Sequence, residues 1–91
     1  MTTYAAFDKT PAADLDYGIE WATWLGSDTI ASSTWTVPTG LTKHSEAHDT
    51  NSTLVWLSGG TLNARYLVKN TITSAAGRTE SRILQITITE R

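Results

Sequence analysis

His44, Glu46 and His48 alternate along LTKHSEAHDTNS, residues 41–52, and their side chains are of the kind that ligate zinc. Alternate residues of a strand share a face but advance about 6.8 Å per pair, which separates the two histidines by roughly 13 Å. Two zinc bonds near 2 Å each do not close that gap. A helix would bring them together, but Ser, Thr and Asp between Gly40 and Asn51 make a poor helix, so a solvated polar face is expected. Asp8, Asp14 and Asp16 lack the alternating oxygen ligands and terminal Glu of a calcium loop and read as turn formers and solubilising charges. Gly59-Gly60-Thr61 is a turn rather than a phosphate loop, since no Lys-Ser/Thr follows it. Asn51-Ser52-Thr53 is a glycosylation sequon by formula only. No GxSxG motif is present, and neither His lies in a nucleophile's setting. The expectation is a protein that is not an enzyme, with no catalytic residue, no metal and no cofactor.

The chain that must carry any function is one 91-residue domain. Cysteine is absent, which removes disulfides, thiolate nucleophiles and Cys-based zinc sites. Net charge is −2 without a basic stripe, so nucleic acid is not an expected partner. No apolar run approaches the length of a membrane span, and MTTYAAFDKTPAADLD lacks the basic and apolar regions of a secretory signal. The four Trp carry the largest burial term available. Burying them contributes at most on the order of 15–25 kcal/mol at about 25 cal/mol per Å².

Periodicity of two dominates from residue 15 onward. Leu15, Tyr17, Ile19 and Trp21 share one face, with Asp14, Asp16, Gly18 and Glu20 opposite. Trp24 and Leu25 break the alternation before Gly26 and predict a bend or helical turn. Ala31, Ser33, Trp35 and Val37 form the next face, ended by Pro38 to Gly40. Residues 41–52 read as an edge strand or a long loop. TLVWLSGG, residues 53–60, reads as a strand packed on both faces and stopped by Gly59 and Gly60. Leu62, Ala64, Tyr66, Val68 and Ile72 line a further strand, residues 74–79 a hairpin loop, and Leu84, Ile86 and Ile88 the last strand. Six or seven short strands without a helical period predict an all-β β-sandwich, and one detail fits the immunoglobulin-like class. Tyr66, two residues before Val68 at the start of a late strand, holds the place of a tyrosine corner.

Residues 1–14 have no clear period and are expected as an N-terminal arm beside a sandwich domain at 15–91. The arm is either a frayed terminus or a strap on a neighbouring subunit, with Tyr4 and Phe7 as its anchors. Tyr17, Trp21 and Trp56 are expected in the core, while Trp24 and Trp35 are left open as buried or exposed. Leu67 and Ile83 point away from the apolar faces of their strands. They are either isolated surface residues or an outer patch for a subunit contact. Arg78, in the hairpin loop, is a candidate polar contact or a plain solvated side chain.

Leu15-Asp16-Tyr17, Ile19-Glu20-Trp21, Trp24-Leu25, Asp28-Thr29-Ile30 and Trp35 together resemble the family of bacteriophage fiber–tail adaptor proteins. Val55 to Thr61, Tyr66, Val68, Asn70, Ile72-Thr73-Ser74 and Gly77-Arg78 continue the resemblance, which covers roughly residues 15–37 and 53–90. It implies an immunoglobulin-like sandwich with a structural role in a virion tail, where several copies hold fibers to the tail. The partners it implies are other tail proteins, the tail adaptor or nozzle and the fiber, with synthesis in the host bacterial cytoplasm. Tyr17, Ile19, Trp21, Trp24, Trp35, Trp56, Gly59, Gly60, Tyr66 and Val68 are then fold-defining residues. The alternatives are another neck or tail component, or a free glycan- or surface-binding module using Trp24 or Trp35 as a stacking ring.

Overall fold

Alternation in the sequence becomes pairing across two sheets in a computed structural model that describes residues 3–89. Among these residues the elements are β1 (Thr3–Lys9), β2 (Leu15–Glu20), α1 (Ala22–Leu25), β3 (Ile30–Thr36), β4 (Leu41–His48), β5 (Ser52–Gly59), β6 (Arg65–Ser74) and β7 (Thr79–Ile88). One sheet has the order β1-β7-β6-β3 and the other β2-β5-β4. All neighbours are antiparallel except β1 and β7, which run parallel. This is an immunoglobulin-like sandwich, and the expected class holds.

The core forms where the inner faces meet. Ile19, Val55 and Leu57 from the smaller sheet, with Trp21 just after β2, pack against Val68, Ile72, Leu84, Ile86 and Ile88 from the larger. α1 is the helical turn expected at Trp24 and Leu25. It tucks Leu25 inward and sets Trp24 edge-on to Trp21, ring centroids 5.6 Å apart. Trp35, left open by the sequence, is buried at 3% exposure.

The stretch expected as an arm divides in two. Residues 3–9 are β1, in register from Ala5↔Leu84 to Lys9↔Ile88, and the loop to β2 follows. The strand showed no period because its inward positions hold Ala5, Phe7 and Lys9, only one of which is a large apolar residue. Residues 1 and 2 of the expected arm, and 90 and 91 of the expected domain, lie outside the described residues.

Four faces were misread from the pattern. β5 is not packed on both sides: Thr53, Val55 and Leu57 are buried, while Trp56 points outward at 36% exposure. Among the described residues no layer covers the outer face of this sheet, so an expected core tryptophan is a surface residue. Leu15 is exposed because it sits at the outer end of edge strand β2. Leu62 is exposed because β6 begins only at Arg65, after a turn in which Asn63 has φ 70°. In β3 the ladder skips Ala31, which turns Ile30, rather than Ala31, inward beside Ser33 and Trp35. Similar skips at Tyr4 in β1 and His44 in β4 place a bulge on each of these edge strands, where bulges discourage strand addition.

Two buried polar groups cross between the sheets. Asn70 Oδ1 accepts from Trp21 Nε1 (3.0 Å) and Thr53 Oγ1 (2.8 Å), and its Nδ2 donates to Ser33 Oγ (3.0 Å) and Thr34 O (3.2 Å). Lys9, 1% exposed, donates from Nζ to Thr10 O (2.9 Å) and to Gly59 O at the end of β5 (2.6 Å). Burial pushes its ammonium below the usual lysine range, and Asp14 partly opposes the shift.

Candidate functional site

The loops at the two ends of the sandwich are locked by contacts within the chain. At the hairpin end, Arg78 leaves the β6–β7 turn and reaches back across α1. Its Nε and Nη2 donate to Asp28 Oδ2 (3.3 and 3.2 Å), Nη2 also donates to Leu25 O (3.0 Å), and the guanidinium lies 4.4 Å from the Trp24 ring centroid. Hydrogen bonds from the Ser74 hydroxyl, the Thr29 and Ala76 N–H groups and Arg78 hold the Asp28 carboxyl below its usual range. Arg78 is therefore a strut between the hairpin and the α1–β3 loop. Trp24 is half-buried beneath it, and Trp35 lies in the core.

At the other end Tyr66 forms the expected corner: its OH accepts from the Thr61 N–H at 3.0 Å. Gly40 (φ 109°) lies directly against this ring, where a Cβ would sit 2.8 Å from Tyr66 Cε1 and OH. Gly60 (φ 107°) is equally tied to Ile88, whose Cδ1 would be 2.6 Å from an added Cβ.

The N-terminal anchors Tyr4 and Phe7 stay exposed but both contact their own chain. The Phe7 and Tyr17 rings meet tilted at 47° with centroids 5.0 Å apart, and the Arg82 guanidinium lies 5.0 Å from the Tyr4 ring and 4.2 Å from that of Trp21. The structure does bring Leu67 and Ile83 together. Leu67 pairs with Gln85 and Lys69 with Ile83, so the two apolar residues are diagonal neighbours on the outer face of the larger sheet. Leu67 is 53% exposed and Ile83 half-buried.

His44, Glu46 and His48 lie along exposed β4, with His44 at its bulge and Glu46 ion-paired to Lys43. Asp8 and Asp16 fall on different sheets. Among the described residues no three His, Asp or Glu side chains converge as a metal site, and no helix is long and apolar enough to cross a membrane. What the molecule presents to a partner is surface. One outer sheet face carries Arg65, Leu67 and Lys69, and the other carries Asp16, Gly18, Glu20, Leu54 and Trp56.

The class is thus a small immunoglobulin-like sandwich whose chemistry is that of contact. A family model described as podophage GP4 fiber-tail adaptor protein gp77 matches residues 9–87. The chain belongs to this family, which gives it a structural role in a phage tail and makes it a virion component. The matched range spans residues 41–52, where the sequence alone showed little resemblance, and leaves out most of β1. Among curated proteins, none matches the chain.

The sequence reading misplaced Trp56, missed Lys9, and noted Asn70 for its resemblance but not for its bridge between the sheets. Asn70 had a signal, since it occupies an inward position between Val68 and Ile72. Lys9 had none, and Trp56 needed knowledge of which sheet face is covered.

Proposed function

We propose that this protein is a non-enzymatic adaptor that fastens fibers to the tail of a phage virion, in several copies around the tail. The observation that carries the reading is the family match over residues 9–87, laid on a fold whose conspicuous residues serve packing. The partners are other tail proteins, the adaptor or nozzle on one side and the fiber on the other, rather than nucleic acid or membrane. Synthesis takes place in the host cytoplasm before assembly. A rigid sandwich suits this work: its loops are tied down by Arg78 and Tyr66, so docking orders few additional groups and costs little entropy. Leu67 and Ile83, as neighbours on one outer face, are the apolar contact with another subunit.

Affinity purification of the tagged chain from phage-producing cells, read by mass spectrometry, tests the proposal. Stoichiometric recovery of tail and fiber proteins is expected. Recovery of the chain alone, under conditions where particles assemble, would contradict it.

A further inference from the structure

The two outer sheet faces are complementary to one another, in charge, in shape and in spacing. β6 presents Arg65, Leu67 and Lys69 outward, with Leu67 standing between the two cations. β2 presents Asp16, Gly18 and Glu20 outward, with Gly18 as a gap between the two carboxylates. In each triplet the charged residues are four apart on a strand, a separation of roughly 13 Å. Gly18 borders a hollow of about 400 Å³ lined also by Ala47, Leu54 and Thr53 and, at the β4–β5 turn, by His48, Asp49 and Ser52. Trp56, in register with Asp16, continues this apolar floor.

The charges are available for a partner. Among the described residues the ion pairs are Lys43–Glu46 and Arg78–Asp28, which leaves Arg65, Lys69 and Asp16 without one. The Glu20 carboxylate accepts from the Ala22 N–H at 3.3 Å, and the Glu20 backbone carbonyl accepts from Arg82 Nη1 at 3.1 Å. The acidic triplet lies in a stretch, residues 10–42, that contains no Lys, Arg or His. On the basic face the acid is Asp8, on β1 at the rim.

We infer that these two faces bind each other between copies of this chain, the Arg65-Leu67-Lys69 face of one copy seated on the Asp16-Gly18-Glu20 face of the next. Leu67 enters the hollow over Gly18 and Leu54, and the flanking cations meet the flanking carboxylates. Either direction of the crossing strands pairs both charges. A symmetric pair through one face alone would set cation on cation or carboxylate on carboxylate, so the contact is head-to-tail. Head-to-tail contacts form a ring when the rotation closes, as copies around a tail axis require. The inference deepens the adaptor reading by naming one partner as a second copy, and it rests on that reading only for the ring's place on a tail.

Sedimentation velocity of the purified chain, across a wide concentration range at low and high salt, measures the contact directly. The wild type is expected to self-associate at low salt and to lose that association as salt screens the pairs. Reversing one face, R65E/K69E, or the other, D16K/E20K, is expected to weaken association about tenfold or more. These residues are exposed, and unchanged melting by circular dichroism certifies the fold; L67D serves as a second disruption of the same contact. An equimolar mixture of the two charge-reversed proteins is expected to recover association, because each then offers the face its partner lacks. A wild type that stays monomeric throughout, charge reversals without effect, or a mixture that fails to recover would each overturn the inference. The assay contains no fiber or tail protein, so its failure is separate from failure of the adaptor reading.

Discussion

Trp21 Nε1 donates to Asn70 Oδ1 at 3.0 Å, joining the end of β2 in one sheet to the middle of β6 in the other. Both residues are fully buried, and the same oxygen also accepts from Thr53. A buried amide with every partner in place fixes how the two sheets sit on each other, which greasy contacts alone specify loosely.

Asn70→Ala therefore orphans the Trp21 N–H and the Thr53 hydroxyl inside the core. With about 1–3 kcal/mol lost per unsatisfied buried group, the expected loss is about 3 kcal/mol in urea unfolding. A loss under about 1 kcal/mol would show that water or a rotamer change replaces the amide.

Gly40→Ala meets both a positive φ and the Tyr66 ring, which is braced by Thr61 and has little room to retreat. The expected cost is about 2 kcal/mol or more. Tyr66→Phe removes only the hydroxyl and is expected to cost about 1 kcal/mol, because the released Thr61 N–H is near solvent. Thermal melts of the two variants check this ordering.

Removal of residues 1–9 is expected to destabilise the domain substantially. It strips β1 from β7, takes Phe7 off Tyr17 and withdraws the Lys9 clamp on Gly59. A fall in Tm of about 10 °C or more is expected, corresponding to roughly 2 kcal/mol in a domain of this size. A nearly unchanged Tm would restore the idea of an arm free to strap onto a neighbour.

Asp28 gives the acid side of stability a defined direction. Its carboxyl is held below the usual 3.8 by Ser74, the Thr29 and Ala76 N–H groups and Arg78. The unfolded chain therefore binds the proton first, and stability falls as pH drops through 3.8 toward the folded-state value. Melting curves from pH 5 to 2 are expected to fall more steeply for the wild type than for Asp28→Asn. Parallel curves would show that the carboxylate is not favoured by folding.

Strand positions were legible wherever one face is buried and the other wet. Tyr17, Ile19, Val68, Leu84, Ile86 and Ile88 lie inward as their alternation predicts, and Tyr66 makes its corner. Period fails where the reason for a residue's place lies in another strand. Trp56 looked like core between Val55 and Leu57, but among the described residues no third layer covers its face. Arg78 was open as a polar contact or a solvated side chain, and a loop 50 residues earlier in the sequence supplies its carboxylate. β1 was hidden because a parallel edge strand with one buried lysine carries almost no hydrophobic period. The complementary faces were visible only as scattered charges until β2 and β6 were placed on opposite outer surfaces.

The most direct test of the adaptor role is to count fibers per tail, by electron microscopy, on particles assembled with this chain deleted. The account predicts tails that carry no fibers, with fibers restored when the chain is supplied in trans. Particles bearing their full complement of fibers without the chain would contradict it.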